Sequence, residues 1–233
     1  MAELLLYCIA DAASTWPGDG RGVRGGGLLR IVHGGLAAVV SPLAEPTWVV
    51  APAKAELLEY ERVIRSCHAV ADVLPMRFGG VLSDEAAVRA HLDEQRAAYL
   101  GALTRLAGCV ELGVRALLSP PPSSTTPGEA MPTIRSGADY LQARRQRYSA
   151  ETRLREQSVA LEQALLAKVA PLCREHRMEL SPPRSGEPTL CSLYFLVPRE
   201  QVTAFRSELP PIPGMKQTDI SLSGPWPPFN FVA

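Results

Sequence analysis

From residue 109 onward the chain reads strand, helix, strand, strand, helix, strand, and this order constrains the fold more than any other feature of the sequence. Residues 109–118 form a strand-like run. Residues 138–176 read as helix almost throughout, with Leu154, Leu161, Leu165, Val169 and Leu172 in a stripe at spacings near three, four and seven. Pro171 marks where such a helix would break. Strand-like residues 178–180 follow, then a Pro/Gly-rich turn, the strand-like run 190–197, a short helix over 199–208 and a last strand over 218–222. A β-α-β-β-α-β order is the signature of a ferredoxin-like unit, two crossovers on an antiparallel sheet. The expected domain boundary lies near Gly108, giving a C-terminal domain of residues 109–233. Residues 119–137, rich in Pro, Ser and Thr, are then a mobile loop inside that domain.

Residues 1–108 read as a separate α+β domain, so the expected fold class is α+β with two domains. Residues 4–10 form a buried strand, and the glycine-laden stretch 14–27 reads as a flexible loop. Residues 28–33 and 36–41 are β-prone runs around Gly34-Gly35, a two-residue spacer that suits a tight hairpin. From Lys54 the apolar positions Leu57, Leu58, Val63, Ile64 and Val70 fall at helical spacing behind Pro52. The run Val73-Leu74-Pro75 ends or edges a sheet, because proline cannot donate to a ladder. Ser83 is the expected N-cap of a long helix to about Leu106, with Asp84 and Glu85 at the positive end of its dipole.

The balance of 24 basic and 24 acidic residues leaves no net field to attract nucleic acid or an anionic membrane. The five cysteines are scattered, without a C-x-x-C pair, and read as free thiols in a reducing cytosol. Glu3 stands where a signal peptide carries basic residues, and no apolar run approaches the ~20 residues of a membrane span. The expectation is a protein neither exported nor embedded.

Chemical motifs are sparse. Gly20 to Gly25 matches G-x-G-x-x-G, yet two more glycines and a strand follow where a dinucleotide site needs a helix. His33-Gly34-Gly35 has no G-x-S-x-G partner, so the hairpin reading stands. Cys67 and His68 are adjacent on a helix and point about 100° apart, which suits a buried Cys beside a partly exposed His better than a nucleophile and its base. The four histidines lack metal-ligand spacing. Arg144, Arg145 and Arg147 share their helix with Glu151 and Glu156, the mixed charge of a solvated face. RNA stacking on a sheet would require exposed aromatics, and Tyr194 and Phe195 are adjacent and face opposite ways. No catalytic residue, metal or cofactor is indicated.

Two segments stand apart. Val73-Leu74-Pro75-Met76-Arg77-Phe78-Gly79-Gly80 sets Arg77 in an apolar run, where a buried guanidinium needs carboxylate or carbonyl partners; a structural ion pair is the expected role. Residues 224–233 carry three prolines and three large aromatics, Trp226, Phe229 and Phe231. They form either a strap over the chain's own core or an exposed aromatic patch for a protein partner.

These two segments resemble the gas vesicle F/L family, whose members carry V-L-P-x-R-F-G and end in G-P-W-P-P followed by aromatics. Gly35 to Ser41, Val110-Glu111-Leu112-Gly113-Val114 and Gly137-Ala138-Asp139-Tyr140-Leu141 with Arg144 match further family segments in the same order. The resemblance spans nearly the whole chain. It implies a two-domain α+β protein with a ferredoxin-like C-terminal domain extended by long helices. It also implies a non-enzymatic accessory role in gas vesicle assembly, in the cytoplasm and on the vesicle, through contact with the small hydrophobic shell protein and other accessory proteins. The alternative is a regulatory or enzymatic ferredoxin-like domain that binds a small anionic ligand at Arg77.

Overall fold

A computed structural model describes residues 2–18, 20–44, 49, 51–118, 137–181, 188–209 and 220–232. Residues 119–136 of the expected loop 119–137, the turn at 182–187 and the start of the last strand at 218–219 lie outside the described residues, and Gly137 opens a helix. The chain divides into two compact units, residues 1–111 with 224–233, and residues 112–223.

In the first unit, β1 (Glu3–Asp11), β2 (Leu29–His33), β3 (Leu36–Leu43) and β4 (Val73–Pro75) make a sheet of order β2-β3-β1-β4, with the short β5 (Val81–Leu82) also paired to β1. The β2–β3 hairpin turns through Gly34 and Gly35 at φ of 59° and 85°, the left-handed conformation that a two-residue hairpin requires. Pro75 sits in β4 at the sheet's edge, as its missing N–H demands. β1 is buried from Leu4 to Ala10, and its register shifts between Leu6 and Cys8. This bulge lets the adjacent residues Tyr7 and Cys8 join one cluster with Leu5, Ala10 and, from α1 (Lys54–His68), Tyr60, Val63, Ile64 and Cys67.

Several expectations need correction here. Residues 21–24 of the expected flexible loop are fixed against α1 and β1. Val23 is buried and donates its N–H to Tyr7 Oη at 2.9 Å, Arg24 pairs with Glu56, and Arg62 donates to the Arg21 carbonyl at 2.9 Å. One buried valine and these bonds override the glycine content. The N-cap after β5 is Asp84, not Ser83: its carboxylate accepts from Ala87 N–H at 2.8 Å. The long helix is two, α2 (Glu85–Glu94) and α3 (Arg96–Leu106), broken at Gln95. At the break, His33 contacts Asp93 at 2.7 Å and Arg96 donates to the Gly34 carbonyl at 2.7 Å, so the hairpin tip holds the corner.

From Cys109 the order is β6 (Cys109–Leu118), α4 (Gly137–Val169), β7 (Glu175–Leu180), β8 (Thr189–Pro198), α5 (Val202–Glu208) and β9 (Ile220–Trp226), with β6 from Leu112 and β9 as far as Ser223 in the second unit. The sheet order is β7-β8-β6-β9. The buried stripe of α4 comprises Leu154, Ser158, Leu161, Leu165 and Val169, and Phe205 of α5 packs 5.1 Å from Phe195 of β8. The helix stops at Val169, followed by a 3-10 turn through Pro171, so residues 175 and 176 belong to a strand and not to the helix. Phe195 is buried and Tyr194 half-buried, as alternation requires. Arg144 and Arg145 are exposed, with Arg144 over the Tyr148 ring; the side chain of Arg147 lies outside the described residues. Among the described residues no helix is long and apolar enough to cross a membrane, and no His/Cys/Asp/Glu group could hold a metal.

Candidate partner-binding site

The C-terminal segment returns to the first unit and is fixed there at each step. Trp226 lies half-buried beneath Arg65 of α1, whose guanidinium carbon is 4.4 Å from the ring centroid. Pro227 and Pro228 are buried. Residues Phe229–Phe231 form a 3-10 turn, closed by Phe231 N–H donating to the Pro228 carbonyl at 3.1 Å. Asn230 donates its backbone N–H to Glu111 Oε2 at 2.8 Å and its side-chain Nδ2 to Oε1 at 2.7 Å. Phe231 is fully buried, and Arg105 donates to its carbonyl. Phe229 is 38% exposed. The three aromatics therefore part company: Phe231 is an anchor, Trp226 a partly covered shelf, and Phe229 is held out to solvent.

Glu111 is 4% exposed, a carboxylate inside the apolar strand β6. The sequence signal was present, an acid between Val110 and Leu112, but the same signal at Arg77 pointed to the wrong residue. Arg77 is exposed, and among the described residues no ion pair involves it, which corrects the expected structural ion pair. Its run is bound through the backbone instead.

Tyr60 explains that run. Its hydroxyl lies 2.7 Å from Leu6 O, 3.0 Å from Met76 O and 3.2 Å from Arg77 O. Its ring stacks on Tyr7 at 4.9 Å and meets the edge of Phe78 at 5.0 Å. Burial drives the Tyr60 phenol far above its ordinary range, so it stays protonated and able to donate. Met76 N–H bonds to the Tyr7 carbonyl at 2.8 Å and Leu6 N–H to the Gly80 carbonyl at 2.9 Å, which lashes both ends of the run to β1. The segment from Val73 to Gly80 is thus a structural splice. Cys67 and His68 are both buried, and His68 Nε2 faces the Cys109 carbonyl at 3.3 Å. The partly exposed His expected from sequence is corrected to a core residue.

The family model described as "Gas vesicle synthesis protein GvpL/GvpF" matches residues 3–233. The chain belongs to the GvpL/GvpF family. It is 32% identical over 221 residues to gas vesicle protein F of Streptomyces sp. (strain CB03234), covering 87% of this chain and 86% of that one. It is 29% identical over 250 aligned residues to gas vesicle protein L of the same strain, covering 94% and 90%. Its fold resembles the crystal structures of GvpF from Anabaena sp. PCC7120, at a TM-score of 0.73 and 18% identity over 100% of this chain and 97% of that one. GvpF from Microcystis aeruginosa gives 0.71 and 14%, with both chains fully covered. In this GvpL/GvpF chain, the V-L-P-x-R-F-G and G-P-W-P-P segments both lie in the first unit.

Proposed function

We propose that this chain is a non-enzymatic assembly factor that holds the small hydrophobic shell protein of the gas vesicle, in the cytosol and at the growing wall, alongside other accessory proteins. Family membership supports the role in gas vesicle formation. The exposed Phe229 supports the contact, because a turn clamped at Asn230 and buried at Phe231 presents one aromatic ring at little entropic cost. Trp226 extends the same surface, and Phe231 serves it as the anchor. Shell subunits carry apolar faces before they join the wall, and a rigid aromatic contact can cover such a face and release it to the growing edge.

The test is co-purification of the full chain with the major shell protein, using Phe229→Ala and a truncation after Ser223. Capture by the parent chain that Phe229→Ala loses, with an unchanged thermal melt, supports the reading. Equal capture by Phe229→Ala removes the tail from the contact, and no capture by the parent chain removes direct shell binding.

A further inference from the structure

The four sheet ends differ in whether another strand can add to them. β4 carries Pro75, β9 carries Pro225 next to Gly224 at φ 101°, and the outer carbonyl of β2 at Val32 is taken by Arg89 at 3.0 Å. These are the usual devices that blunt an edge. β7 has none of them: it is proline-free, pairs with β8 in unbroken register from Glu175↔Leu196 to Leu180↔Cys191, and among the described residues has no second neighbour.

The register also decides which backbone groups face outward. Ser181 N–H donates to the Leu190 carbonyl at 2.9 Å, so the odd-numbered residues of β7 turn their backbone toward β8. The N–H and C=O of His176, Met178 and Leu180 therefore point away from the sheet.

We propose that this edge pairs antiparallel with β7 of a second copy of the chain, about a two-fold axis at Met178. An isologous seam must match residue i with the residue equally far on the other side of the axis. Centred on Met178, the backbone-bonded pairs are Met178 with Met178 and His176 with Leu180, which uses the outward groups. Arg177 then faces Glu179 of the second copy, and Glu179 faces its Arg177. These are non-hydrogen-bonded positions, where cross-strand side chains come closest. Arg177 and Glu179 are exposed and share the face opposite His176, which stacks on Phe195 and bonds Glu162. Shifting the axis by one residue still bonds outward backbone groups but sets Arg177 against Arg177 or Glu179 against Glu179. Alternating charge on an edge strand ordinarily deters pairing; here it is self-complementary about Met178 and about His176, where Glu175 would face Arg177, and the Met178 axis overlaps more of β7, residues 176–180 against 175–177.

The seam is narrow, so dimerisation is expected at about 10–100 μM protein. Sedimentation equilibrium of the full chain tests it. Arg177→Glu and Glu179→Arg, each alone, should weaken the dimer roughly tenfold or more. The double exchange should restore it, and Met178→Pro, which removes an outward N–H, should abolish it with the melt preserved. A parent chain monomeric throughout that range overturns the proposal, as does a dimer that Met178→Pro leaves intact or that the double exchange fails to restore.

Discussion

Glu111 grips Asn230 at two points, accepting its backbone N–H at 2.8 Å and its side-chain amide at 2.7 Å, from a strand position only 4% exposed. A buried carboxylate binding the end of the chain makes the last turn part of the core. Asn230→Ala removes a hydrogen bond to a buried charged group, an expected cost of about 1.5–3 kcal/mol in urea unfolding. A loss under about 0.5 kcal/mol would mean that other groups hold Glu111.

Phe229 and Phe231 are expected to separate stability from binding. Phe231→Ala vacates a fully buried site and should cost about 3–5 kcal/mol, while Phe229→Ala should stay within about 0.5 kcal/mol. Paired thermal and urea melts of the two variants measure this.

Tyr60→Phe keeps both ring contacts and deletes the hydroxyl near three carbonyls. The expected loss is about 1–3 kcal/mol. Arg77→Ala, at an exposed side chain, should change stability by no more than about 0.5 kcal/mol, and urea unfolding of both compares them directly.

Thiol labelling should divide the five cysteines. Cys8, Cys67, Cys109 and Cys191 are buried and should react only on unfolding, whereas Cys173 is part-exposed. Burial pushes the Cys191 thiol up to about 11 and raises that of Cys173, so native labelling at Cys173 should be slow at neutral pH and quicken as pH rises. Mass spectrometry after alkylation at several pH values reads both effects.

The loop on α1 should loosen in acid. Hydrogen bonds from Arg24 and then from the Ala53 N–H hold the Glu56 carboxyl below its usual range. A lowered native pKa gives a contribution that is full above the ordinary carboxylate value and lost as pH falls through the native one. Hydrogen exchange at Val23 and Arg24, corrected for intrinsic rate, should accelerate across that interval, and Glu56→Gln should abolish the dependence.

Much of the fold was legible because it depends on local pattern. The Gly34-Gly35 hairpin, the edge position of Pro75 and the stripe of α4 follow from φ preference, a missing donor and helical spacing. The α2–α3 break at Gln95 was not legible, since no proline or glycine marks it and its cause is the hairpin tip reached through Asp93 and Arg96. Nor was the β1 bulge, which turns Tyr7 and Cys8 toward one cluster where simple alternation would separate them.

By itself the sequence determined the order of elements from residue 109 onward, the absence of net charge and, through two motif segments, the family. Tertiary structure decided what those segments do. Arg77 and Glu111 look equivalent as single charges in apolar runs, yet one is exposed and the other buried around Asn230. The reason is distance along the chain: Glu111 meets its partner 119 residues away and Tyr60 reaches Leu6 across 54, and no local pattern encodes which remote group will arrive.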